Sequence, residues 1–303
     1  MESEVIQPSV NLLESMRSVG YSFEAAVADL IDNSITAGAR GVVIDADVVE
    51  AKYVAVLDNG RGMSSEVARE ALRLAGATGD RDASDLGRFG LGLKTASLSQ
   101  ARCLTVVTKR DDAVTALRWD IDFVRDSGQW LLNVLDETDV RDLPLRAELD
   151  DQPSGTLVVW NDLDLLLGDT LTPGAFLAER LGGVRSSLAL VFHRFLTDRR
   201  ERLSITVNGI DLRPIDPFLS DNPKTQRTPL ETLCIGGADV QVEGYTLPHA
   251  SALTPEERQR PDLGDGMRDA QGFYVYRNRR LISHGHWYGL ARMSELSKQT
   301  RVK

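Results

Sequence analysis

The chain reads as an α+β protein built on one mixed, mostly antiparallel sheet with helices on one face. Three observations predict this. An amphipathic helix comes early, a run of strand-like segments joined by turns follows, and near residue 199 the pattern changes to hairpins. Residues 10–19 read as a short helix. In residues 23–37, Phe23, Ala26, Val27, Leu30, Ile31 and Ser34 fall on one stripe at helical spacing. Ser22 is placed to cap that helix and Gly38 to stop it. Residues 42–48 alternate as a strand should, and residues 53–58 form a second strand that runs into a glycine turn. Ser64 caps a helix over 65–75, residues 76–87 lack periodicity and read as a loop, and residues 91–100 read as a helix. Residues 103–110, 114–121, 130–137 and 155–163 are strand-like, and 177–199 is a long helical segment. Beyond it, Asn208-Gly209 marks a hairpin, 239–247 and 272–283 are further strands, and the polar stretch 254–267 is a surface loop. The expected boundary falls at 199–202, dividing the chain into domains 1–199 and 200–303.

Composition narrows the classes. The chain has 303 residues, 42% hydrophobic and 26% charged, ordinary globular usage and more than one small domain needs. A chain of this size buries roughly three quarters of its unfolded surface, so it needs no disulfide or metal staple. Wholesale disorder is excluded. No apolar run approaches the roughly 18 residues of a membrane span, and the first ten residues do not read as a secretory signal. Cys103 and Cys234 lie far apart in strand-like contexts and read as reduced, buried thiols, which points to a cytoplasmic protein. The balance of 35 basic to 45 acidic residues, a net charge of −10, argues against nonspecific wrapping of DNA, although a local patch could still touch it.

Three segments carry chemistry. Asp29 and Asn33 are four apart, one turn from each other on one helix face. The carboxamide oxygen is a hard ligand of the kind Mg²⁺ takes alongside phosphates and waters, and the carboxylate can orient or deprotonate a water. A polar stripe on an amphipathic helix is the plain alternative. Next, Asp58-Asn-Gly60-Arg-Gly62-Met63 follows an apolar strand directly. The carboxylate can accept from an exocyclic amine, and the glycines let backbone approach a flat ring; a β-turn would also explain the string. Third, Gly87-Arg88-Phe89-Gly90-Leu91-Gly92-Leu-Lys94-Thr95 precedes a helix, so its backbone N–H groups can form a nest for phosphate. The spacing is not that of a Walker A loop, nor does a βαβ unit surround it as in a dinucleotide fingerprint.

Taken in order, with Ser154-Gly155-Thr156 on a later strand, these segments resemble the superfamily of ATPases that includes gyrase B, the large heat-shock chaperones, histidine kinases and MutL (GHKL). Residues 22–160 carry the resemblance, closest to the MORC-like and MutL-like branch. LIDNSITAGA, DNGRGM and GRFGLGLKTAS look like its three boxes, and GFYVYRNRRLI looks like the strand pair of an S5-like transducer domain. The resemblance implies a Bergerat-type sandwich that binds ATP and Mg²⁺ and acts as a slow ATPase. It implies Asn33 as the Mg²⁺ ligand and Asp58 as the adenine anchor supported by Thr156. Ala37, Gly60, Gly62 and Met63 would line the adenine pocket. Thr78, Gly87, Arg88, Phe89, Gly90, Leu91, Gly92, Lys94 and Thr95 would form the rest of the nucleotide site, with 80–86 as lid. The branch's general base is a glutamate, and Asp29 stands in its place with one methylene less. The transducer lysine that reaches the γ-phosphate is also not evident, since Lys298-Gln299-Thr300-Arg301 carries arginine there. By the same resemblance the chain is a nucleotide-driven homodimer coupled to a partner protein or downstream effector, in a DNA-related or antiviral defence role. The alternative is a nucleotide-binding module with little turnover. A histidine kinase is not expected, because that reading needs a phosphoacceptor histidine ahead of the ATPase domain and no histidine precedes His193. His284 and His286 read as surface polar residues rather than metal ligands, and Arg277, Arg279 and Arg280 as a solvated hairpin face.

Overall fold

The computed structural model describes residues 9–18, 20–73, 92–260 and 270–289. The chain divides into two compact units, one of residues 1–189 with 195–213, the other of 190–194 with 214–303. Strands of residues 204–211, beyond the expected boundary at 199–202, extend the sheet of the first unit.

In chain order the first unit contains α1 (Asn11–Arg17), α2 (Phe23–Thr36), β1 (Gly41–Ala46), β2 (Tyr53–Asp58), α3 (Ser65–Leu72) and α4 (Gly92–Leu98). Next come β3 (Cys103–Arg110), β4 (Ala113–Asp120), α5 (Ile121–Ser127), β5 (Asn133–Val134), α6 (Glu137–Val140) and α7 (Arg146–Asp150). The series closes with β6 (Gly155–Asn161), α8 (Asp164–Leu167), α9 (Pro173–Val191), α10 (His193–Leu196), β7 (Ser204–Val207) and β8 (Ile210–Asp211), of which residues 190–194 in α9 and α10 belong to the second unit. Eight strands form one sheet in the order β5-β4-β3-β6-β2-β1-β7-β8. Every pairing is antiparallel except β1 with β7. This is the mixed, mostly antiparallel α+β sheet that the strand pattern predicts.

Register decides which side chains share a face. Val54, Val56 and Asp58 of β2 stand opposite Trp160, Val158 and Thr156 of β6, and Leu104, Val106 and Thr108 of β3 continue the same rows. Helix α2 covers this face, with Phe23 packed on Trp160 at 6.3 Å between ring centroids. The predicted stripe of α2 is buried along its whole length. Ser22 Oγ accepts from the Ala25 N–H to start the helix, and Gly38, at φ +78°, ends it. The opposite face is closed by α6 and α7, whose Val140 and Leu149 pack on Ala55, Leu57, Val107, Leu157 and Val159.

Residues 130–137 depart from expectation, being strand only over Asn133–Val134. Asp136 accepts from the Thr138 and Asp139 N–H groups in a capping box and starts α6 instead.

The second unit holds β9 (Gln226–Arg227), β10 (Glu231–Ile235), β11 (Ala238–Val242), β12 (Tyr245–Thr246), α11 (Pro255–Arg258), β13 (Phe273–Arg277) and β14 (Arg280–His286). Its strands form three separate pairs, β10–β11, β9–β12 and β13–β14. The single strand expected over 239–247 is broken at Glu243-Gly244, where Gly244 donates to Thr228 Oγ1 at 2.8 Å and moves the chain from one pair to the other. The loop expected at 254–267 contains α11, which Thr254 and Glu257 close with a reciprocal cap. Both cysteines lie in strands as expected, but Cys103 in β3 is only half-buried and Cys234 in β10 is exposed, which corrects the reading of buried thiols. Alternation along a strand reveals polarity without saying whether anything covers the apolar side.

Candidate functional site

One row of α2 organises the site. Asp29, Asn33 and Ala37 are spaced four apart, so they line up along the helix over about 12 Å of rise. At one end, a Cβ placed on Gly92 would lie 3.5 Å from Asp29 Oδ2, so the first residue of α4 rests against that carboxylate. Toward the other end, a Cβ on Gly60 would lie 2.8 Å from the Ala37 Cβ and 2.9 Å from Asp58 Oδ1. The Arg61 N–H also donates to the Ala37 carbonyl at 3.0 Å. The helix therefore bridges the start of α4 and the tip of β2, with exposed Asn33 between them.

The strand tip is a buried polar network. Asp58 is 8% exposed. Its Oδ1 accepts from the Gly60 N–H at 2.8 Å, and its Oδ2 lies 3.0 Å from the Ser34 hydroxyl. That hydroxyl is also 3.1 Å from the Leu30 carbonyl, so its one proton is shared between two acceptors. Burial pushes the Asp58 carboxyl above the usual range, against the opposing pull of Gly60, Ser34 and the Thr156 backbone. Thr156 stands directly opposite Asp58 and supports it through the main chain. Its hydroxyl meets Thr108 Oγ1 at 3.2 Å, and Thr108 Oγ1 accepts from the Met63 N–H at 2.9 Å. Ser154 Oγ donates to the Gly60 carbonyl at 2.7 Å. Gly62, at φ +63°, has no room for a side chain, since a Cβ there would lie 2.0 Å from the Lys109 carbonyl oxygen.

Of the residues picked out by sequence, Asp29, Asn33, Ala37, Asp58, Gly60, Gly62, Met63, Gly92 and Thr156 are joined by this arrangement. Lys94 is 2% exposed and donates through Nζ to the Arg73 carbonyl at 2.5 Å, at the end of α3. Thr95 Oγ1 is buried and has no hydrogen-bond partner among the described residues. Thr78, Gly87, Arg88, Phe89, Gly90 and Leu91 lie outside the described residues, as do the expected lid at 80–86 and Lys298 through Arg301. Sequence reasoning missed Ser34 as a partner of Asp58 and Thr108 as the anchor of Met63. A hydroxyl on the buried stripe of α2 was the one visible signal for Ser34. His284 is stacked on Tyr274 at 5.9 Å. Among the described residues no three His, Cys, Asp or Glu side chains are grouped to hold a metal, and no helix is long and apolar enough to cross a membrane.

Comparison with known proteins agrees with this geometry. Residues 21–156 match the family described as histidine kinase-, DNA gyrase B-, and HSP90-like ATPase. ATPase morc-1 of Caenorhabditis elegans is 32% identical over 121 residues, which is 40% of this chain and 14% of that protein. The DNA mismatch repair protein MutL of Pseudomonas syringae pv. tomato is 31% identical over 143 residues, covering 46% of this chain and 20% of the relative. MutL of Pseudomonas fluorescens is 30% identical over the same length. The chain thus spans no more than a fifth of these relatives. The domain of residues 21–156 belongs to the gyrase, heat-shock chaperone, histidine kinase and MutL (GHKL) ATPase superfamily. Within it, the likeness is to the MORC and MutL proteins.

Proposed function

We propose that the first unit binds ATP with Mg²⁺ along α2 and hydrolyses it slowly. The observation that carries the reading is the row Asp29–Asn33–Ala37, which runs from the start of α4 to a buried carboxylate at the tip of β2. Adenine would sit at Asp58, where glycines at 60 and 62 leave room for a flat ring, and its amino group would donate to the carboxylate. The triphosphate would extend toward Gly92 and the helix start behind it.

The donor set suits Mg²⁺. Asn33 offers a hard carboxamide oxygen, and an ion that keeps waters and substrate phosphates needs few protein ligands. Asn33 would hold the ion, which when bound neutralises phosphate charge. Asp29 would take a proton from the attacking water as the bond from the γ-phosphorus to the bridging oxygen breaks, giving ADP and phosphate. By analogy with the family, binding would draw two chains together as a clamp, and the second unit would serve as a transducer-like domain that passes the state to an effector. A role near DNA or in defence is the corresponding proposal for the whole protein.

The aspartate at position 29 favours a second reading, a nucleotide-binding module that hardly turns over, because its carboxylate reaches less far than that of glutamate. Steady-state ATPase assays on wild type and Asp29→Ala separate the two. The hydrolase reading predicts a loss of about 100-fold or more in kcat; equal rates in the two proteins would remove the base role.

A further inference from the structure

We infer that Arg61 is a positioning residue for the adenine end of the site, tying the turn after β2 to the last turn of α2; this inference rests on the nucleotide-binding reading above. The last carbonyls of a helix have no partner inside it, and those of α2 can be followed one by one. Asn33 accepts from the Ala37 N–H at 2.9 Å, Ser34 from the Ala39 N–H at 3.0 Å and Ile35 from the Gly38 N–H at 2.9 Å. The next two carbonyls are taken by Arg61. Thr36 accepts from its guanidinium at 2.9 Å, and Ala37 from its N–H at 3.0 Å. No residue in the last turn of α2 is basic, so the positive charge that suits a helix C-terminus comes from the β2 turn instead.

The tie bears on the pocket because Arg61 stands between the two glycines that would flank the adenine. Gly62 is pressed against the Lys109 carbonyl, and Gly60 rests on the Ala37 side chain. The Gly60 N–H also donates to Asp58 Oδ1. Ala37 is therefore held from two directions, by Gly60 against its Cβ and by Arg61 through its carbonyl. The guanidinium extends that hold one residue further into the helix. Without it the Thr36 carbonyl turns to water and the last turn of α2 loosens. The wall that Ala37 forms then has to be ordered when a ligand arrives, and this ordering weakens binding. Asp29 and Gly92, where the phosphates would lie, are two turns away along α2.

Arg61→Met removes the charge and the donors from an exposed side chain, and Arg61→Lys keeps a charge and a donor; thermal melting verifies the fold of both. Isothermal titration of the intact chain with a non-hydrolysable ATP analogue and Mg²⁺ should give a Kd about fivefold higher for Arg61→Met. Arg61→Lys should stay within about twofold of wild type. Hydrogen exchange of the nucleotide-free proteins reads the helix itself, and the amides of residues 37–39 should exchange faster in Arg61→Met. Faster exchange with an unchanged Kd would make Arg61 a plain helix cap and overturn the inference. A raised Kd with unchanged exchange would mean that the side chain acts on the nucleotide directly, which overturns it too, as does a lysine variant that recovers no affinity. A wild type that gives no heat would remove the nucleotide reading itself, and the role of Arg61 with it.

Discussion

The two units are held together in different ways. In the first, eight strands make one continuous ladder, and its polar groups include a carboxylate buried at the tip of β2. In the second, strands occur as three separate pairs, and every residue of β10 and β11 is exposed, Leu233, Ile235, Val240 and Val242 among them. Cohesion there comes from an aromatic cluster. Phe218 stacks on Tyr245 at 4.3 Å and meets Tyr274 edge-on at 5.2 Å. His193 Nε2 lies 2.8 Å from the Tyr276 hydroxyl, and the Arg194 guanidinium lies over the Tyr276 ring at 3.6 Å. The difference teaches that a buried charge needs a frame that cannot relax. Asp58 is held by groups from α2, the β2 turn and β6 at once, whereas the second unit centres on aromatic rings, one histidine and the Arg194 guanidinium that lies over Tyr276.

The comparison breaks most sharply at Gly62. Alanine there meets the Lys109 carbonyl, a backbone atom that cannot move aside, in a left-handed conformation. We expect a loss of about 3 kcal/mol or more in urea unfolding. Gly209→Ala, at φ +72° but with open space around it, should cost only about 1 kcal/mol. Equal losses would show that the strand tip is not rigid.

The second unit should instead fail through pH. Burial pushes His193 down to about 4. The unfolded chain, with an ordinary histidine near 6.5, then binds the proton more tightly than the folded one. Stability is therefore full above about pH 6.5 and falls as the pH drops toward 4, by about 3 kcal/mol across that window. Chemical denaturation of wild type and His193→Gln between pH 7 and 4.5 checks this. The variant should lose less on acidification, and parallel losses would contradict the assignment.

The parts of the fold and site that were legible were the local ones. Asp29 and Asn33 announce themselves by helical spacing, and Asp58 by its place between an apolar strand and two glycines; Ala37 came only with the family resemblance. The helix stripe and the strands over 53–58 and 103–110 follow from periodicity alone. What stayed hidden depends on sheet order and on capping. Thr108 and Ser154 reach the strand tip only because β6 lies between β3 and β2. Residues 130–137 misled the eye because their apolar run ends at Asp136, a polar cap that starts α6 and outweighs strand propensity. Cys234 looked buried because its alternation is genuine, yet the described residues leave its hairpin open.

The central claim is that the end of α2 and the tip of β2 together seat an adenine nucleotide. Isothermal titration of the intact chain with a non-hydrolysable ATP analogue and Mg²⁺, run beside Asp58→Asn, tests it most directly. Asparagine can still accept from the Gly60 N–H, and Ser34 can turn its proton to the Leu30 carbonyl, so the variant should keep the wild-type melting temperature. Saturable heat from the wild type and none from the folded variant is the predicted result; silence from the wild type, or equal binding by both proteins, would contradict it.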